Sequence, residues 1–145
     1  MGIKALNNLA NLDLNQVLAT ALKLNDEKVK NVSRDQLARG ETPSGAKFPK
    51  YSDPDYLRRK PAPKTAPGGV MNLNQFGTFY RNISPKVTQT SIQWPESQQD
   101  KKYPFLVKYS NTGTLLAWNE RSIQLANKTF LLSAVTDEIK KKLSA

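Results

Sequence analysis

Apolar residues first settle into a helical rhythm after Asp13. Leu14, Val17, Leu18, Ala21, Leu22, Val29 and Val32 recur on one helical face. Asp13 is a good N-cap, and the pattern runs on through Leu37 to Gly40, a glycine of the kind that ends helices. The spacing predicts a long helix from about Leu14 to Ala38. Ahead of it, Asn7, Asn8 and Asn11 interrupt short apolar stretches, which reads as a small extra helix or an arm over residues 1–12.

Beyond Gly40 the rhythm stops. The segment GETPSGAKFPKY, from Gly40 to Tyr51, holds two Gly and two Pro with no period, and reads as a loop. Asp53-Pro54 then supplies a cap followed by proline at a first helical position, and Lys60-Pro61 ends the short helix so begun. Pro61 to Gly69 is a stiff Pro-rich stretch with a Gly-Gly end. In a chain this short it reads as an exposed loop, because neither flank alone could hold a full core.

Further on, Phe76, Phe79, Tyr80 and Ile83 have helical spacing, whereas Lys86 to Trp94 alternates, with β-branched Val87, Thr88, Thr90 and Ile92, and reads as one strand. A short helix is expected near Pro104 to Tyr109, a turn at Asn111 to Gly113, and a short strand from Thr114 to Trp118. Asn119 caps a helix through Ala126. A last helix from about Lys128 to Leu143 carries Leu131, Leu132, Val135, Ile139 and Leu143 along one side. These elements predict an α+β protein, a single small domain over residues 1–145. A long N-terminal helix and a C-terminal helix pack on a small antiparallel sheet, with an extended Pro/Gly-rich loop.

Composition removes most catalytic designs. The 145 residues include no Cys and no His, which excludes disulfides, thiol nucleophiles, Cys/His zinc sites and histidine acid–base chemistry. No run approaches the roughly 18 apolar residues of a membrane span, and no secretory leader is recognisable, so no membrane partner and a cytoplasmic origin are expected. The net charge is +10, and its excess is concentrated. From Lys47 to Lys86 eight basic residues face only Asp53 and Asp55, a net +6. Such a chain is attracted to a polyanion or to an acidic protein surface. Lys140, Lys141 and Lys142 complement the dipole at the end of the last helix.

Within the basic region, aromatic and cationic residues interleave. Lys47, Lys50, Tyr51, Tyr56, Arg58, Arg59, Lys60, Lys64 and Arg81 are the candidate contacts. Cations on phosphates and rings on bases suit nucleic acid; Tyr and Arg equally suit a contact between proteins. Asp53 and Asp55 read as a helix cap and a first-turn acid. A third reading, a carboxylate- or metal-dependent nuclease built around Asp53, Asp55 and Glu41, would need divalent ions. No catalytic, metal or cofactor residue is assigned, and the chain is read as a binding protein and not an enzyme.

The order of segments resembles a known group. Gly40-x-x-Pro43-x-Gly45, then Tyr51, Tyr56 and Lys60, then Val70-Met71-Asn72-Leu73-Asn74-Gln75-Phe76-Gly77-Thr78-Phe79-Tyr80 is similar to the virion-morphogenesis and tail-completion family of small phage structural proteins. Asn72, Phe76 and Thr78 depart from its pattern, where Asp, Thr and Asp are expected, while Gly77 and Phe79-Tyr80 keep it. The resemblance spans roughly Leu37 to Leu143. It implies a non-enzymatic head–tail connector, neck or tail-completion protein in the virion, made in the host bacterial cytoplasm. It further implies a homo-oligomeric ring, a hexamer or dodecamer, in contact with neck and tail-tube proteins and passing double-stranded DNA. The Pro61 to Gly69 segment and its basic flanks are expected to dock on the next subunit or the tail tube. A small basic nucleic-acid-binding protein is the alternative.

Overall fold

The structure, a computed structural model, describes residues 2–59, 67–72, 78–81, 83, 85–88, 92–93 and 117–145. It is an α+β fold whose helices enclose one apolar core beside a two-stranded antiparallel sheet.

The N-terminal stretch is a helix, α1 (Ile3–Ala10). The expected helix 14–38 is present but bent, as α2 (Leu14–Leu24) and α3 (Asp26–Ala38). Asp13 caps α2, accepting from the backbone N–H of Asn15 at 3.0 Å and of Gln16 at 3.2 Å. The bend lies at Asn25, whose ψ of 34° leaves the helical basin and whose side chain donates back to the Ala21 carbonyl at 2.9 Å. Asp26 and Glu27 then meet the positive end of a new helix. Tertiary packing uses the bend: α2 lies against the C-terminal helix, and α3 against the helix that follows Asn119.

Helix α3 ends as its glycine predicts. Gly40 has φ 68°, the Glu41 N–H reaches the Gln36 carbonyl at 3.1 Å, and the Gly40 N–H reaches that of Leu37 at 2.8 Å. This is a Schellman closure, which needs a left-handed residue at Gly40. The loop after it is ordered by backbone pairing. Glu41 bridges Lys47, Thr42 N–H reaches Ala46 O at 2.8 Å, and Phe48 N–H returns to Gly40 O at 2.8 Å, which sends the Phe48 ring into the core. Lys50 then bridges Val70, flanked by Tyr51 N–H to Gly69 O and Met71 N–H to Pro49 O. The described residues between Tyr51 and Gly69 therefore belong to an excursion closed at its base. It holds α4 (Pro54–Arg59), started by Asp53, and a 3-10 turn at Pro67–Gly69. Residues 60–66 of the expected Pro/Gly loop lie outside the described residues.

Of the helix expected around Phe76 to Ile83, one turn is described, α5 (Thr78–Arg81), with Ile83 in the core. The single strand expected from Lys86 to Trp94 is instead a hairpin. β1 (Lys86–Val87) pairs with β2 (Ile92–Gln93), Lys86 opposite Gln93 and Val87 opposite Ile92. Folding back on itself gives each short strand a ladder partner for its backbone groups. The expected helix 104–109 and turn 111–113 lie outside the described residues. So does the strand from Thr114, except Ala117 and Trp118, which are not in a strand.

Asn119 caps α6 (Glu120–Ala126), accepting from Ser122 N–H at 2.9 Å. The break expected near Asn127 does not occur. A π-helical segment, Asn127–Leu131, carries α6 straight into α7 (Leu132–Leu143), making one rod. The wider turn rotates the buried stripe, so the rod faces α3 before the segment and α2 and α1 after it. It also turns Leu132 outward, against the expectation from the α-helical period. Leu22, Val29, Val32, Leu37, Phe48, Val70, Ile83, Ala126 and Phe130 form the core.

Candidate functional site

The singled-out basic and aromatic residues divide into two places. At the excursion, Tyr51 and Tyr56 come together with ring centroids 5.3 Å apart and planes tilted by 41°. Burial pushes the Tyr51 phenol above its ordinary pKa, and the neighbouring Tyr56 adds to the effect. Helix α4 extends from this pair into solvent. Arg58, 76 % exposed, is ion-paired with Asp55, and Arg59 donates to the Asp55 carbonyl at 3.2 Å. Lys50 is exposed at the base of the same excursion, and Arg81 is exposed on α5. Lys60 and Lys64 lie outside the described residues. Asn72 and Tyr80 tie the segment just after the excursion to α5, the Tyr80 hydroxyl donating to the Asn72 carbonyl at 2.5 Å. Arg34 of α3 in turn donates to the Tyr80 carbonyl at 3.0 Å.

Lys47 belongs elsewhere, to a buried polar hub around Glu41. The Glu41 side chain is only 7 % exposed and accepts from four groups. Asn119 Nδ2 and Arg39 Nε approach one oxygen at 3.1 Å each, and Arg121 at 3.0 Å and Lys47 at 3.4 Å approach the other. Burial acts to raise the Glu41 pKa, but the hydrogen bonds from Asn119, Arg39 and Lys47 and the Arg39 charge outweigh it and hold the carboxyl below its ordinary value. Beside it Gln36, fully buried, donates to Ala117 O at 2.8 Å and accepts from Asn119 N–H at 2.8 Å and Ser122 Oγ at 2.6 Å. Arg39 completes the circuit, with Asp35 as its ion-pair partner and Ser122 Oγ at 3.1 Å. This hub locks the end of α3, the loop after Gly40 and the start of α6 into one unit. Sequence reasoning singled out Glu41 and Lys47 of it as candidate site residues and Asn119 as a cap; the contacts that tie α6 to Gln36 and Glu41 join residues about 80 positions apart.

The Glu41 oxygens are engaged by three cations, Arg39, Arg121 and Lys47, and by the Asn119 amide. Asp53 accepts from Asp55 N–H at 2.9 Å, as a cap does, and Asp55 holds Arg58. Among the described residues no three acidic side chains converge as a metal site, so Asp53, Asp55 and Glu41 are not one centre.

Two grooves flank α6. One of about 470 Å³ is polar and is bordered by Glu41, Asn119, Arg121 and Gln124. The other, about 380 Å³, is mainly apolar and lies between α3 and the π-helical segment, where Val32, Leu125 and Phe130 form its floor and sides. Large aliphatic side chains stand in solvent on α1 and α2, among them Ile3, Leu6, Leu9, Leu14 and Leu18. No described helix is long and apolar enough to cross a membrane. No family model, curated protein or solved structure matches the chain.

Proposed function

We propose that this protein is a non-enzymatic structural component of a tailed-phage virion. In this reading it is a connector, neck or tail-completion protein at the head–tail junction, built as a ring of identical subunits. One observation carries the reading: segments far apart in sequence that bear the resemblance to that family form one folded unit. The Gly40 loop runs into Lys50, Lys50 bridges Val70, and Tyr80 bonds the Asn72 carbonyl beside it. The excursion that hangs from this unit presents Tyr56, Arg58 and Arg59 as a cationic, aromatic projection suited to an acidic neighbouring protein. The net +10 also suits a surface past which DNA moves.

Light scattering behind size exclusion, with and without duplex DNA across a salt series, tests it. A discrete ring-sized species, or a monomer that ignores DNA and assembles on phage particles, is the expected result. A monomer that shifts onto duplex DNA and leaves it steeply as salt rises would transfer the assignment to a nucleic-acid-binding module, because released counterions impose that dependence.

A further inference from the structure

We propose that α1 docks its apolar stripe into the groove beside the π-helical segment of a second copy of this chain, joining subunits head to tail. The inference deepens the assembly reading, resting on it for the expectation that copies associate.

Among the described residues the stripe is largely exposed. Ile3, Leu6 and Leu9 are 79 %, 52 % and 45 % exposed, and α1 buries none of its residues. At roughly 100° per residue, Asn8 lies about 160° around the helix from Leu6. Asn8 is the residue that ties α1 down, donating to the Leu143 and Ala145 carbonyls at 3.3 Å each. Anchored on that side, α1 directs its aliphatic side away from the molecule.

The groove is matched to it and out of its reach. Its lining on the rod is Leu125, Thr129 and Phe130, whereas α1 is fastened at Leu143, thirteen helical residues beyond Phe130, about 20 Å at 1.5 Å per residue. A projecting stripe at one end and an apolar recess at the other cannot meet in one molecule. Between copies they form a contact of two unlike patches, the kind that closes into rings or runs on as a filament.

Charge selects a second copy as the occupant. The first 25 residues hold Lys4 and Lys23 against Asp13, a net +1 of the chain's +10, and at the groove Lys28 is offset by Asp35. Copies of a strongly basic protein repel over most of their surface, and these two nearly neutral patches are where they approach at least cost. An acidic partner would be drawn to the basic excursion instead. A lipid-binding helix carries cations along its polar face, and α1 has only Lys4.

The test pairs two variants of the full chain. Leu6→Asp spoils the stripe and Leu125→Asp spoils the groove, and circular dichroism melts confirm that each folds; Thr129→Arg, at an exposed position in the groove, is the second groove variant. By light scattering, the wild type is expected to be a multi-subunit species and each variant alone a monomer. An equimolar mixture of the two is expected to give a dimer and nothing larger, since one intact stripe meets one intact groove. Leu6→Asp that keeps the wild-type mass would overturn the contact and leave the assembly reading standing. A mixture that stays monomeric would overturn it in favour of a like-to-like contact. A monomeric wild type overturns it as well. If that monomer sediments with mixed phosphatidylcholine and phosphatidylglycerol vesicles, and Leu6→Asp abolishes this, the stripe serves a lipid surface instead.

Discussion

Replacing Glu41 with Gln probes the hub at its centre. The amide oxygen can take the place of the carboxylate oxygen that Asn119 and Arg39 share, which turns the N–H₂ group toward the donors on the other oxygen, Arg121 and Lys47. Arg121 and Lys47, 68 % and 50 % exposed at their side chains, swing into water at little cost. Asn119 keeps its acceptors, the amide oxygen and the Thr42 carbonyl at 3.2 Å, while Arg39 keeps Asp35 but loses the negative charge it faces inward. Removing one member of a fully buried ion pair costs about 3–5 kcal/mol, and the partial exposure here places the total lower, at about 2–3 kcal/mol. At about 2–4 °C per kcal/mol for a chain near this length, Tm falls by about 4–12 °C. Urea unfolding followed by tryptophan fluorescence should show the midpoint lowered with its slope unchanged.

The pH dependence of the same variant is a second readout. The folded Glu41 carboxyl sits below its ordinary value of 4.5, so its stabilisation is fully present above 4.5. It drains away as pH falls below 4.5 and through the depressed folded value. The gap between wild type and Glu41→Gln should therefore be widest at neutral pH and narrow under acid. Equal stability at pH 7, or a gap that is the same at pH 7 and pH 3, would refute the reasoning.

Two further outcomes test the fold around the hub. Gln36→Leu preserves bulk but leaves the Ala117 carbonyl and the Asn119 N–H without their buried partner, and should cost about 2–4 kcal/mol in urea denaturation. Asp13→Ala removes the cap on α2 and should cost about 1 kcal/mol, with a matching small drop in Tm by circular dichroism.

Element starts and stops were legible in the sequence because each is decided within a few residues. Asp13, Asp53 and Asn119 accept from backbone groups two or three positions ahead, and Gly40 closes a turn that spans six residues. Such contacts are encoded where they act, so the helices around them and the α+β class could be read directly. The pairing of Tyr51 with Tyr56 arises over the same short range, five positions along the chain.

Tertiary structure decided what periodicity leaves degenerate. The apolar stripe keeps its phase from Leu14 to Leu37 whether or not the helix bends, and only the separate demands of α7 and α6 require the bend at Asn25. Alternation from Lys86 to Trp94 describes one strand or two, and the choice rests on which partner completes the ladder. The π-helical segment has no local mark, since it is set by the need to turn one rod toward two different neighbours. In the sequence Glu41 figures only beside Asp53 and Asp55, as part of a candidate metal site. Its burial among Asn119, Arg39 and Arg121 follows from bringing α6 against α3, a contact between chain positions about 80 residues apart that no local pattern can announce.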